Sequence, residues 1–160
     1  MRVDPNSLKR RPGTLVLPPL PYALALYAGW YMDDKMYALP LHLGVLHDVV
    51  SWTLIGLGLL LFAWTLWVFW RHRTTVNPYR AATRLVVDGP FRFSRNPIYL
   101  GDWLIYAGVM VWLQTAWPLL LAPLVWATIR YGVIRHEERH LAAVFGDEYR
   151  DFQNTTRRWM

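Results

Sequence analysis

The chain has 160 residues, 54% of them apolar, with ten tryptophans and a formal net charge of +6. That length bounds it to one compact domain, and residues 1–160 read as a single unit. The absence of cysteine excludes disulfides, thiolate metal sites and cysteine nucleophiles, and the aromatic weight with an arginine-dominated charge points to a membrane interface rather than to nucleic acid.

In chain order, Leu15 to Met32 is uncharged and, at about 18 residues, just reaches spanning length. Pro18, Pro19 and Pro21 lie near its start, where a helix tolerates proline best. Basic residues ahead of it and Ala23-Leu24-Ala25 also fit a processed leader, a reading that three prolines in the apolar run disfavour. Val49 to Trp70 is the clearest span, about 22 uncharged residues that can cross with some tilt. Trp64, Trp67 and Trp70 recur near its end as an interfacial stripe, and His42, His47 and His72 fall at the same membrane edges. Residues 1–70 therefore hold two transmembrane helices.

Trp103 to Ile129 is uncharged as well. Widened to Ile98 and Ile134, it holds two short helices of roughly 16 residues each. Gln114-Thr115 is the natural turn, and Pro118 suits the first turn of the returning helix. Arginines crowd the N-terminal tail, the segment after Trp70 and the C-terminal tail, whereas the loop after Met32 and the Gln114 turn have none. The positive-inside rule places both termini and the middle loop in the cytoplasm. An even number of spans follows, so the expected architecture is all-α and integral to the membrane. It has about four transmembrane helices, the last two forming a hairpin, in an inner or cytoplasmic membrane.

The middle loop carries turn signals at Asn77-Pro78 and Asp88-Gly89-Pro90, and Thr83 to Val87 suits a short strand or an extended run. After Ile134 the pattern becomes a cytosolic amphipathic helix, with Ile134, Leu141, Val144, Phe145 and Tyr149 on one face. Gly146 breaks it, and Asp147 caps a further turn.

Two polar clusters flank the hairpin. His136-Glu137-Glu138-Arg139-His140 matches the H-E-x-x-H pattern of zinc peptidases, with two histidines one helical turn apart and Glu137 as base. The other reading joins Glu137 and Glu138 to the cluster before the hairpin. Two carboxylates at an apolar boundary need a cationic or hydrogen-bonding partner. Arg92 and Arg95 are candidates for a structural ion pair, and a cationic ligand is the functional alternative. Asn96-Pro97 opens the first hairpin helix, whose free N–H groups suit an anion, while Tyr99 and Phe91 suit a flat ring.

The run Leu85-Val86-Val87-Asp88-Gly89-Pro90-Phe91-Arg92-Phe93-Ser94-Arg95-Asn96-Pro97-Ile98-Tyr99-Leu100-Gly101 resembles the signature of the isoprenylcysteine carboxyl methyltransferases. Glu137-Glu138 followed by Phe145-Gly146-Asp147-Glu148-Tyr149 resembles their second signature, and phospholipid N-methyltransferases share the two-block pattern. The resemblance implies an integral membrane enzyme that binds S-adenosylmethionine on its cytosolic face. It points to Leu85, Val86, Phe91, Asn96, Pro97, Ile98, Tyr99, Glu137 and Glu138 as cofactor-binding residues. Asn96 stands where many relatives have histidine. Val133 stands where the prenylcysteine enzymes hold the substrate carboxylate with arginine, which leaves Arg130 or Arg135 to meet the acceptor. The implied acceptor is a lipidic or small amphipathic molecule carrying a carboxyl, amine or thiol. The donor is already activated, so the enzyme's task is to align the two reactants and exclude water.

Overall fold

The computed structural model describes residues 17–73 and 84–159. Prolines set the start of α1, which runs Pro19–Lys35 with proline in its first turn, where the missing N–H costs nothing. The helix continues past the expected end at Met32 through Asp33 and Asp34. The reason is visible in Asp33, whose Oδ1 accepts the Leu39 N–H at 2.8 Å and the Thr115 hydroxyl at 2.7 Å. A charge omitted from the apolar run is thus used as a clamp.

A short 3-10 turn, Gly44–Leu46, leads into α2, His47–Arg71. This helix encloses the expected Val49–Trp70 span, and Trp64, Trp67 and Trp70 are exposed near its end. It lies antiparallel to α3, Pro97–Trp112, pairing Ser51 with Gly108 and Gly58 with Gly101. The Ser51 hydroxyl donates to the Gly108 carbonyl at 3.0 Å. A Cβ on Gly58 would come within 2.7 Å of the Gly101 carbonyl oxygen, so the glycines are what let these backbones touch.

The expected hairpin turn is present between α3 and α4, Trp117–Ile129, with Gln114 in the left-handed region at φ 53°. The loop after α1 pins it. Leu41 N–H donates to the Gln114 carbonyl at 2.8 Å, Ala116 N–H to the Leu39 carbonyl at 2.7 Å, and the Trp117 indole to the Tyr37 carbonyl at 2.7 Å. On its far side α1 packs on α4, with Gly29 against the ring of Pro118.

The returning arm does not stop at Ile134. It passes through a π-turn, Arg130–Ile134, into α5, Arg135–Phe145, without interruption. The expected amphipathic helix is therefore the outer end of the hairpin arm. Its face is as read: Ile134, Val144 and Tyr149 are buried, with Leu141 and Phe145 packed against the core. Gly146, at φ 53°, ends α5 and opens α6, Asp147–Thr155. Asp147 makes no capping bond and instead pairs with Arg150 at 2.9 Å.

The described residues contain six α-helices and no strand. Arg84–Val87 is irregular rather than a strand, and its one buried side chain, Val86, joins a cluster of helix-end residues. Thr83 and the Asn77-Pro78 turn lie outside the described residues. Two helical stretches, Gly44–Arg71 and Trp117–Phe145, are long and apolar enough to cross a membrane. At 17 and 16 residues, α1 and α3 are shorter.

Two apolar clusters frame the site. One joins Tyr22 and Ala25 of α1, Tyr99 and Tyr106 of α3, and Val125, Ile129, Val133 and Ile134 of the returning arm. The other joins Val68, Val86, Phe91, Tyr149 and Phe152.

Candidate active site at the hairpin mouth

Tyr99 sits in the first turn of α3, and Glu137 in the first turn of α5. The phenol donates to Glu137 Oε1 at 2.9 Å, so the two motif blocks meet. Pro97 at the start of α3 fixes the entry of the helix, and buried Tyr99 is held by its ring in the first cluster.

Glu138, the next residue, turns to a different partner. Arg158 grips it with two hydrogen bonds, Nε to Oε1 and Nη2 to Oε2, both at 2.8 Å. Arg95 Nη1 approaches Oε1 at 3.6 Å. Of the two expected ion-pair partners, Arg95 is therefore present and Arg92 is not, because Arg92 is exposed. The carboxylate beside Arg158 holds its guanidinium more firmly protonated. Burial, and then the Glu138 charge, push the Tyr149 hydroxyl above its ordinary range.

The same C-terminal segment straps the loop before α3. Ser94 Oγ and Asn96 Nδ2 both donate to the Arg158 carbonyl, at 3.2 and 2.9 Å, and Arg95 N–H donates to the Arg157 carbonyl at 3.0 Å. Trp159 then packs on the first cluster, to which Tyr99 also belongs. Sequence reading missed this strap. Arg157 and Arg158 register there only as topology charges, and nothing in the periodicity marks a carbonyl as an acceptor for Asn96.

The remaining sequence-selected residues distribute unevenly. Ile98 is half-buried beside Pro97. Leu85, Val86 and Phe91 belong to the second cluster, where Phe91 tilts onto Phe69 with centroids 5.2 Å apart. Arg130 lies over Trp126 and Tyr131 at 5.2 and 5.8 Å, and Arg135 is exposed. Val133, by contrast, is fully buried in the first cluster.

The donor set suits a molecule with charges of both signs. Glu137 is an acceptor for a cation or for hydroxyls. Nearby, Arg95 Nε and Nη1 are buried without a hydrogen bond, although the guanidinium faces Glu138 at 3.6 Å, which leaves donors for an anionic group. The histidine pair offers less. Among the described residues no group of three or more His, Cys, Asp or Glu side chains could hold a metal ion. His136 and His140 thus have no third ligand there.

The described residues form helices and no strand, with two membrane-capable stretches, and their polar blocks meet at a hairpin mouth. The model of the phospholipid methyltransferase family matches residues 46–148, and the chain belongs to that family. No curated protein and no solved structure matches it. The matched region takes in α2 through α5, with Tyr99, Glu137 and Glu138, and leaves out α1 and the Arg157–Trp159 strap. Membership of a membrane methyltransferase family replaces the zinc peptidase reading, which rested on three fixed positions of one helix.

Proposed function

We propose that the chain is an S-adenosylmethionine-dependent membrane methyltransferase acting on a lipidic or small amphipathic acceptor. The observation that carries this reading is the hydrogen bond from Tyr99 to Glu137, which joins both signature blocks at one point. When bound, S-adenosylmethionine supplies an activated methyl group on a sulfonium.

The chain's own residues do the rest. Glu137, held by Tyr99, accepts hydrogen bonds from the cofactor's ammonium or hydroxyls. Asn96, Pro97 and Ile98 line the start of α3, where Arg95 meets an anion. Leu85, Val86 and Phe91 form the apolar wall under the loop. Glu138 acts through Arg158 as a positioning residue that holds the strap over the mouth. Burial by Trp159 and the first cluster excludes water, which strengthens each of these contacts. Arg130 and Arg135 meet the polar head of an acceptor, or lipid phosphates, at the membrane surface.

The four-span topology, with both termini and the middle loop in the cytoplasm of an inner membrane, belongs to the same proposal. Its support is the arginine distribution together with antiparallel packing of α2 on α3. Calorimetry of the purified protein with S-adenosylmethionine tests the reading, and Glu137→Gln should weaken binding while leaving the fold intact.

A further inference from the structure

Tyr99, Asp102, Trp103 and Tyr106 recur along α3 at the spacing that places them on one stripe. Tyr22 of α1 packs edge-on to Trp103 and Tyr106, with centroids 5.2 and 6.0 Å away. Two of the three phenols on this face are committed, since Tyr99 donates to Glu137 and Tyr106 donates to the Pro118 carbonyl at 2.6 Å. The third is not. Tyr22 is 5% exposed, and its buried hydroxyl has no hydrogen-bond partner. Asp102 shares the face of α3 that carries Tyr99, one turn further along the helix. A carboxylate one turn inside an apolar hairpin is costly and marks a function by default, and an orphaned buried hydroxyl on the helix packed against that face is a second unmet demand.

We propose that Asp102, on the face of α3 against which Tyr22 packs, receives the methyl-accepting group of the acceptor and takes its proton. The proposal rests on the methyl-transfer reading above and names the acceptor class. The accepting atom X must carry a proton, as an amine, thiol or hydroxyl does. A carboxylate acceptor would face Asp102 as a like charge and is excluded. In the step, the X–H proton moves to the Asp102 carboxylate. The electron pair left on X forms the X–carbon bond to the sulfonium methyl. The carbon–sulfur bond breaks, its pair stays on sulfur, and a neutral thioether leaves. The Tyr22 hydroxyl, which has no partner of its own among the described residues, is free to hydrogen-bond the accepting group. The titratable groups around Asp102 are Tyr22 on α1, Tyr99 and Tyr106 on its own helix, and Glu137 beyond Tyr99. α4 carries none, and α2 carries its own only at its ends.

The test uses the full chain in lipid nanodiscs, S-adenosylmethionine, and three probes of equal chain length: an alkyl amine, an alkyl thiol and an alkyl carboxylic acid. Methylated product is read by mass. The amine or the thiol should be methylated and the acid should not. Asp102→Asn should lower turnover by about a hundredfold, the usual contribution of a positioned base, with cofactor affinity unchanged. The deficit should narrow as pH rises through the acceptor's own titration, and Asp102→Glu should restore part of the rate. Methylation of the acid alone, of none of the three while cofactor binds, or a pH-independent deficit without rescue by glutamate overturns the proposal. Wild-type turnover in Asp102→Asn does so too. If the wild-type chain binds no S-adenosylmethionine, the methyl-transfer reading fails first and this one falls with it.

Discussion

Tyr99 and Glu137 stand 38 positions apart in the chain, and the hydroxyl of one donates to the carboxylate of the other at 2.9 Å. The bond ties the first turn of one hairpin arm to the outer end of the other. Tyr99→Phe removes it while keeping the ring in the first cluster. Cofactor affinity should fall about tenfold, or about 1.4 kcal/mol, since a hydrogen bond to a charged group is worth at least that much. Calorimetry against the wild type checks this, and an unchanged dissociation constant would separate Tyr99 from the site.

Arg158 and Glu138 form the second link. Arg158→Met keeps the apolar stem but leaves Glu138 with only the longer contact from Arg95. Stability should drop by about 1–3 kcal/mol, the cost of stranding one partner of a hydrogen-bonded charge pair. Adding Glu138→Gln should recover part of the loss, because no carboxylate is then left unpaired. Thermal unfolding of the single and double variants in detergent measures both effects. A double variant no better than the single one would contradict the pairing argument.

Gly58 and Gly56 sit two positions apart on α2 and make opposite demands. A Cβ at Gly58 collides with the α3 backbone, while one at Gly56 meets nothing within 4 Å. Gly58→Ala should therefore destabilise by about 1–3 kcal/mol through overpacking. Gly56→Ala should be neutral or stabilising, as alanine is the better helix former. Melting temperatures of the two variants, compared side by side, decide the matter.

Much of this fold is legible in the sequence, because the apolar runs and proline positions are local signals. The α1 prolines, the Val49–Trp70 run, the Gln114-Thr115 turn and the Gly146 break all appear close to where they were expected. The misses involve contacts between distant segments. Asp33 extends α1 because it clamps Thr115, a partner that no period reveals. The returning arm runs on because a π-turn absorbs Arg130–Ile134, a local change of winding with no composition marker. At the site, motif spacing finds Tyr99 and Glu137. It does not separate the roles of Glu137 and Glu138, which diverge because Arg158 folds back beyond α6. The aromatic Phe91, flagged for stacking on a flat ring, packs one side against Phe69, a contact between distant segments that spacing does not reveal.

Membrane orientation yields a further expectation. Reporter fusions after Asp34 and near Gln114 should read as outside, and fusions at Arg80 and Arg158 as inside. These follow from arginine bias and from the shared site, since Tyr99 and Glu137 must lie at one surface. Opposite locations for Arg80 and Arg158 would contradict the topology.

The most direct test of the central claim is calorimetric titration of the full-length protein, purified in detergent or nanodiscs, with S-adenosylmethionine. The account expects saturable binding in the micromolar range, on the order of ordinary enzyme–substrate affinities, clearly weakened by Glu137→Gln in a variant that unfolds at the wild-type temperature. No binding of S-adenosylmethionine or its demethylated product, or equal binding by Glu137→Gln, would contradict a cofactor site built on Tyr99 and Glu137.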